Sequence, residues 1–277
     1  MLLFPNVETL ELYKTSFKSL ERTIMTRNDI SSVTTSTSSI VENRSSSPFS
    51  PLSKLKLLNI VSVADVETLP EMIGNLSSLQ SLDICICPNL ATRPEEIGNL
   101  SSLLFLRINA CYKLVSLPEG VSNLKSLQSL HTQGCSNLAS LPEGIGNLTN
   151  LQSLTIWNFR NLVSFPKGMT NLVSLHSLDI QFCTNLVSLP ERVADLSSLS
   201  SLQICKCPNL VSLPEGISCI SSLQSLVVKG CADLASIPRG IGNLSSLKFV
   251  NGQDRTELGS HFSMDTLADY LLDEQRR

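Results

Sequence analysis

The side chains with chemical potential in this 277-residue chain are nine cysteines, three histidines and many serines. Two Cys-x-Cys pairs, Cys85 with Cys87 and Cys205 with Cys207, have the spacing of half a thiolate metal site. Neither pair has a histidine or further cysteine placed to complete four ligands, so no metal is expected. Gly144-Ile145-Gly146 and Gly240-Ile241-Gly242 match fragments of a dinucleotide loop but lack its third glycine. The G-x-x-x-x-G-K-[ST] phosphate loop does not occur, and no nucleotide or other cofactor is expected. His131, His176 and His261 have no evident nucleophile or carboxylate partner, which argues against an enzyme. Five N-x-S/T sequons, at Asn43, Asn75, Asn99, Asn147 and Asn243, would be glycosylation acceptors if the chain were secreted.

The elements that position these residues follow from one period. Pro70, Pro94, Pro118, Pro142, Pro166, Pro190, Pro214 and Pro238 are spaced 24 residues apart. In the same register each unit opens Leu-x-x-Leu-x-Ile, as in Leu79, Leu82 and Ile84. The Leu-x-Ile alternation has the period of a strand. The following Pro-Glu-x-Ile-Gly-Asn-Leu-Ser-Ser-Leu spaces apolar residues by three, as a short helical or 3₁₀ turn does, and Pro is expected at its first helical position. One unit has too little apolar surface to offset its ordering entropy, so units must stack around a shared core. The expected fold is α/β: a solenoid with a parallel sheet on the concave side and short helical or 3₁₀ turns on the convex side.

The recurring Asn-Leu-Ser sequons and most glycines are then framework. Glu71, Glu95, Glu119, Glu143, Glu191 and Glu215 follow the prolines as a column, broken by Lys167 and Arg239, and face the positive end of each short turn. Six cysteines, at 87, 111, 135, 183, 207 and 231, share one repeat position that Val63 and Phe159 fill elsewhere. A position that tolerates Phe does not need a disulfide; it wants a small buried group whose thiol donates weakly to carbonyls, and this favours a reducing compartment. Formal charge of −3 and pI near 5.7 give neither a nucleic-acid footprint nor a polybasic membrane surface. No apolar run approaches the length of a membrane-spanning helix.

These units resemble leucine-rich repeats, and Cys207-Pro208-Asn209-Leu210-Val211-Ser212-Leu213-Pro214-Glu215-Gly216-Ile217 is similar to the repeats of plant intracellular nucleotide-binding immune receptors. The Cys-x-x-Leu spacing at Cys183 and Cys207, in place of N/C-x-L, carries the subclass. The resemblance implies a horseshoe fold, a cytoplasmic location and disease-resistance signalling. It also implies a protein ligand, either a pathogen effector or a monitored host protein, and contact with a nucleotide-binding domain elsewhere in a longer receptor. An extracellular receptor ectodomain and a free-standing intracellular scaffold share the same repeat. The expected organisation is an isolated N-terminal unit over 1–27, a flexible insertion over 28–51 with 12 Ser or Thr, the regular solenoid over 52–250, and a C-terminal cap or tail over 251–277 in which Ser263 starts a helix carrying Leu267, Tyr270 and Leu271.

Specificity should reside where the units differ. The residue between the two framework apolar positions runs Asn59, Asp83, Arg107, His131, Thr155, Asp179, Gln203, Val227. The residue after the second runs Val61, Cys85, Asn109, Gln133, Trp157, Gln181, Cys205, Lys229. Both columns are expected on the concave face, and Phe105, Arg107, His131, Trp157, Asp179, Gln181 and Phe182 form the expected protein-binding patch; the alternative for Trp157 and Phe182 is that they pack on neighbouring strands.

Overall fold

The computed structural model describes residues 7–14, 52, 54–91, 94–250, 253–254 and 271. Alternating apolar residues produce one strand per unit: β1 (Thr9–Tyr13), β2 (Leu57–Val61), β3 (Ser81–Cys85), β4 (Phe105–Asn109), β5 (Ser129–Gln133), β6 (Ser153–Trp157), β7 (Ser177–Gln181), β8 (Ser201–Cys205), β9 (Ser225–Lys229) and β10 (Phe249–Val250). They pair in sequence order, each parallel to the last, and β11 (Gln253–Asp254) closes the sheet antiparallel to β10. Register is fixed residue for residue at the 24-residue step, as in Leu106↔Leu130↔Leu154↔Leu178. The second and fourth residues of β2 to β9 are buried, and the first, third and fifth are on the opposite, open face. Leu130, Leu154, Ile156 and Ile180 are all at 0% exposure, and they belong to one continuous core that runs the length of the stack.

Among the described residues every helical turn of the repeats is 3₁₀, usually five residues long, as in Glu71–Asn75 and Glu143–Asn147. Proline precedes the turn instead of starting it. Pro70 is extended at φ −66, ψ 140, and its carbonyl accepts the first 3₁₀ bond, from Ile73 N at 3.0 Å. The ring still fixes φ, but the extended ψ makes it the cap that admits the chain into the turn, which corrects the expected placement at the first helical position. Successive turns touch closely: a Cβ at Gly120 would collide with the Glu95 backbone carbonyl, and one at Gly144 would lie 2.8 Å from Ser122 Oγ. Part of the Glu column serves the same stacking, since Glu95 accepts from Gly120 N and Glu119 accepts from Glu143 N at 3.3 Å.

The thiol column lies immediately behind the strands. Cys87, Cys111, Cys135, Cys183, Cys207 and Cys231 are at 0% exposure, with Val63 and Phe159 completing the row. Cys87 Sγ donates to Cys85 O at 3.6 Å and Cys207 Sγ to Cys205 O at 3.5 Å, weak second bonds to strand-end carbonyls that also accept a backbone amide. All nine cysteines are thiols. Hydrogen bonding to Cys183 first, then burial, pushes Cys207 up to about 12, and contact with Cys135 and Cys87 together with burial likewise raises Cys111.

β1 stacks directly on β2, from Thr9↔Leu57 to Tyr13↔Val61, so the first unit continues the same sheet. The proposed insertion over 28–51 lies outside the described residues, as do Ser263, Leu267 and Tyr270; Leu271 is helical and buried.

Candidate protein-binding face

The open face of the sheet is lined by the first, third and fifth residues of each strand. β4 carries Phe105, Arg107 and Asn109; β5 carries Ser129, His131 and Gln133; β6 carries Ser153, Thr155 and Trp157; β7 carries Ser177, Asp179 and Gln181. Register aligns Arg107, His131, Thr155 and Asp179 in one row, and Asn109, Gln133, Trp157 and Gln181 in the next. From Arg107 to Asp179 is three strand steps, about 14 Å. Six of the seven expected patch residues therefore stand on this one face, on four adjacent strands.

Phe182 sits differently. It is the residue just after β7, with φ of +55. The same post-strand position is left-handed in nine units, from Lys14 through Ser62, Ile86, Ala110, Gly134, Asn158, Phe182 and Lys206 to Gly230. At eight of the nine, all but Gly230 among the described residues, the amide continues the ladder by donating to the last strand carbonyl of the next unit, as Phe182 N does to Cys205 O at 2.9 Å, and the left-handed φ then turns the chain away from the sheet. The stack imposes the conformation on whatever side chain is there. At Phe182 the result is an aromatic ring aimed back along the sheet, edge-on to Trp157 at 5.6 Å between centroids and 74° between planes.

The polar residues are linked in short pairs. Arg107 Nη1 lies 3.6 Å from Asp83 Oδ2, an exposed ion pair of small energetic weight. His131 Nε2 lies 3.3 Å from Gln133 Oε1. Gln181 Nε2 donates to both Asp179 oxygens at 3.0 Å. Burial pushes the Asp179 carboxyl above its ordinary range, against the opposing pull of Gln181 and His131. Lys206 Nζ lies over the Phe182 ring at 4.8 Å. Trp157 Nε1 is buried with no hydrogen-bond partner among the described residues, an N–H left unsatisfied at roughly 1–3 kcal/mol. Phe105, at 47% exposure, is the open apolar residue at the other end of the patch.

Asp83 and Lys206 were not among the expected patch residues. Asp83 was legible, one repeat before Arg107 in the same column; Lys206 was not, because its position is defined by the left-handed turn. A cleft of about 610 Å³ occurs elsewhere, on the convex side, where Arg192 stands at a position that is glycine in Gly120, Gly144, Gly168, Gly216 and Gly240 and the 3₁₀ turn shortens to Val193–Asp195. Lys167 and Phe165 line it, and none of the concave residues does. The described sequon asparagines, Asn75, Asn99, Asn147 and Asn243, are exposed at the ends of the 3₁₀ turns, and Asn43 lies outside the described residues. Among the described residues no group of three His, Cys, Asp or Glu is placed to hold a metal ion, and no helix is long and apolar enough to cross a membrane.

A family model described as "Leucine-rich repeat region" matches residues 35–157 and 88–188, together more than half of the chain. No curated protein matches. Among solved structures, the leucine-rich repeat domain of the type III effector XCV3220 (XopL) is 25% identical with a TM-score of 0.56, covering 69% of this chain and 74% of that one. A chain of the Toll–Spatzle complex from Drosophila is 18% identical with a TM-score of 0.55, over 74% of this chain and 30% of that one. The Arabidopsis receptor kinase HAESA, solved with the peptide hormone IDA and the co-receptor SERK1, is 22% identical with a TM-score of 0.50, over 71% of this chain and 34% of that one. This chain thus spans about a third of the two longer structures, and the likeness to them is one of fold.

Proposed function

Because the chain belongs to the leucine-rich repeat family, we propose that this protein-interaction module is the recognition part of a plant intracellular immune receptor, working in the cytoplasm without enzymatic activity. Its ligand is a pathogen effector or a monitored host protein, held on the concave face at Phe105, Arg107, His131, Trp157, Asp179, Gln181 and Phe182. In the longer receptor the same array restrains a nucleotide-binding domain. A ligand that binds the released arrangement better than the restrained one then shifts the population toward activation by that difference in affinity.

The observation that carries the reading is the column of six buried thiols behind the strands, hydrogen-bonded to backbone carbonyls as Cys-x-x-Leu units. Buried thiols that serve as donors suit a reducing compartment. The exposed sequon asparagines favour the second reading, an extracellular receptor ectodomain. Two measurements separate them: the transcript 5′ of the Met1 codon, and the mass of the natural protein. An upstream phosphate loop with an unglycosylated chain supports the immune receptor. A signal peptide with glycan mass on Asn75 or Asn99 overturns it, and an in-frame stop just upstream leaves a free-standing scaffold.

A further inference from the structure

Asp179 is the patch carboxylate with no ion-pair partner among the described residues; His131, two strands away, is the opposing charge whose pull reaches it. Arg107 is ion-paired with Asp83, whereas no Lys or Arg forms an ion pair with Asp179 among the described residues. Its carboxylate is half-buried and held by a neutral amide, Gln181, whose Nε2 contacts both oxygens at 3.0 Å. Removing a carboxylate from water without a cation is unfavourable, so the site is poised for one. Gln181 Oε1 has no hydrogen-bond partner among the described residues and offers a further acceptor beside the carboxylate.

The surroundings select the kind of cation. Trp157 is in register with Gln181, and Thr155 with Asp179, which puts the indole diagonally adjacent to the carboxylate on the same face. Trp157 and Phe182 meet edge to face at 74°, so Trp157 keeps at least one broad face clear of Phe182. Lys206 already lies over Phe182, so of the two rings the indole is the one with no cation over it among the described residues. A carboxylate, a second oxygen acceptor and an aromatic ring carrying no cation are the partners of a planar guanidinium, with its fork of N–H donors and its ability to stack. An ammonium would use the charge alone.

Resting on the protein-binding reading of this face, we propose that the patch takes an arginine side chain of its protein partner, the guanidinium pairing with Asp179 and lying against Trp157. Trp157 is the sole tryptophan of the chain, so its emission reports this site and no other. The probes are the blocked tripeptide acetyl-Ala-Arg-Ala-amide and its citrulline counterpart, which keeps the shape and removes the charge, each titrated to tens of millimolar. The arginine peptide should change Trp157 emission saturably, with binding about tenfold or more weaker for the citrulline peptide and for the Asp179→Asn protein. Equal responses to the two peptides overturn the arginine assignment while leaving a face that binds neutral peptide. No response to either also overturns it, and the immune-receptor reading is then judged by the upstream transcript alone. If Asp179→Asn lost its circular dichroism, Asp179→Thr, the residue type of the neighbouring column position, and the citrulline comparison on the parent chain keep the test decisive.

Discussion

The two faces of the same strands obey opposite rules. On the buried side, Leu106, Leu130, Leu154, Leu178, Leu202 and Leu226 repeat with no change of residue type, each at 0–1% exposure. On the open side, the residues one position along read Arg107, His131, Thr155, Asp179, Gln203 and Val227. A parallel in-register stack places equivalent residues directly over one another, so the buried side is constrained by its neighbours above and below, while the open side touches mostly water. Stability therefore resides in the repeated columns, the proposed recognition in the varied ones, and substitutions should separate the two.

The largest effect is expected on the repeated side. Leu154→Ala removes a fully buried side chain between two identical neighbours and should lower unfolding free energy by about 2–5 kcal/mol in urea denaturation. On the varied side, Trp157→Ala should weaken binding of the protein partner by about 2 kcal/mol or more, measured by calorimetry. Trp157→Phe should leave folding stability within about 1 kcal/mol of the parent, because it also deletes the unsatisfied indole N–H. Gly120→Ala, on the convex side, should cost about 1–3 kcal/mol because its Cβ meets the Glu95 carbonyl.

Smaller effects sharpen the division further. Ile86 is β-branched, 50% exposed and left-handed at φ +55, so Ile86→Asn should stabilise the chain by up to about 1 kcal/mol and raise its melting temperature. Asp179→Asn should stabilise by less, at most about 1 kcal/mol after solvent screening, and only in one pH range. Because burial raises the Asp179 carboxyl in the folded state, the acid form folds better than the anion. Stability is then fully present below the unfolded carboxylate value and is lost as pH rises through the raised one. The Asn variant should accordingly gain on the parent at neutral pH and match it in strong acid, which unfolding curves across pH will show.

Much of this was legible because a repeat states each rule many times. The proline spacing, the Leu-x-x-Leu-x-Ile opening and the tolerance of Phe159 in the cysteine column led to the sheet, the stacked core and the buried thiols. The left-handed column was hidden, because Lys14, Ile86, Phe182 and Lys206 give no local signal for it; only Gly134, Gly230 and Asn158 do. The conformation belongs to the turn out of each strand, shared by nine stacked units, and at Phe182 the ring meets Trp157. Pairing of β1 with β2 keeps the phase of the period across the long intervening segment, since Thr9↔Leu57 is an offset of 48 residues, two repeats.

The most direct measurement is the unfolding free energy of a chain in which Phe105→Ser, Arg107→Thr, His131→Thr, Trp157→Ser and Asp179→Thr are made together, each a residue type that fits the small polar neighbours on that face. If the open face carries recognition and the buried face carries the fold, this chain unfolds cooperatively within about 1–2 kcal/mol of its parent. A loss of cooperative unfolding, or a drop as large as that of Leu154→Ala, would contradict the account and make these side chains part of the framework.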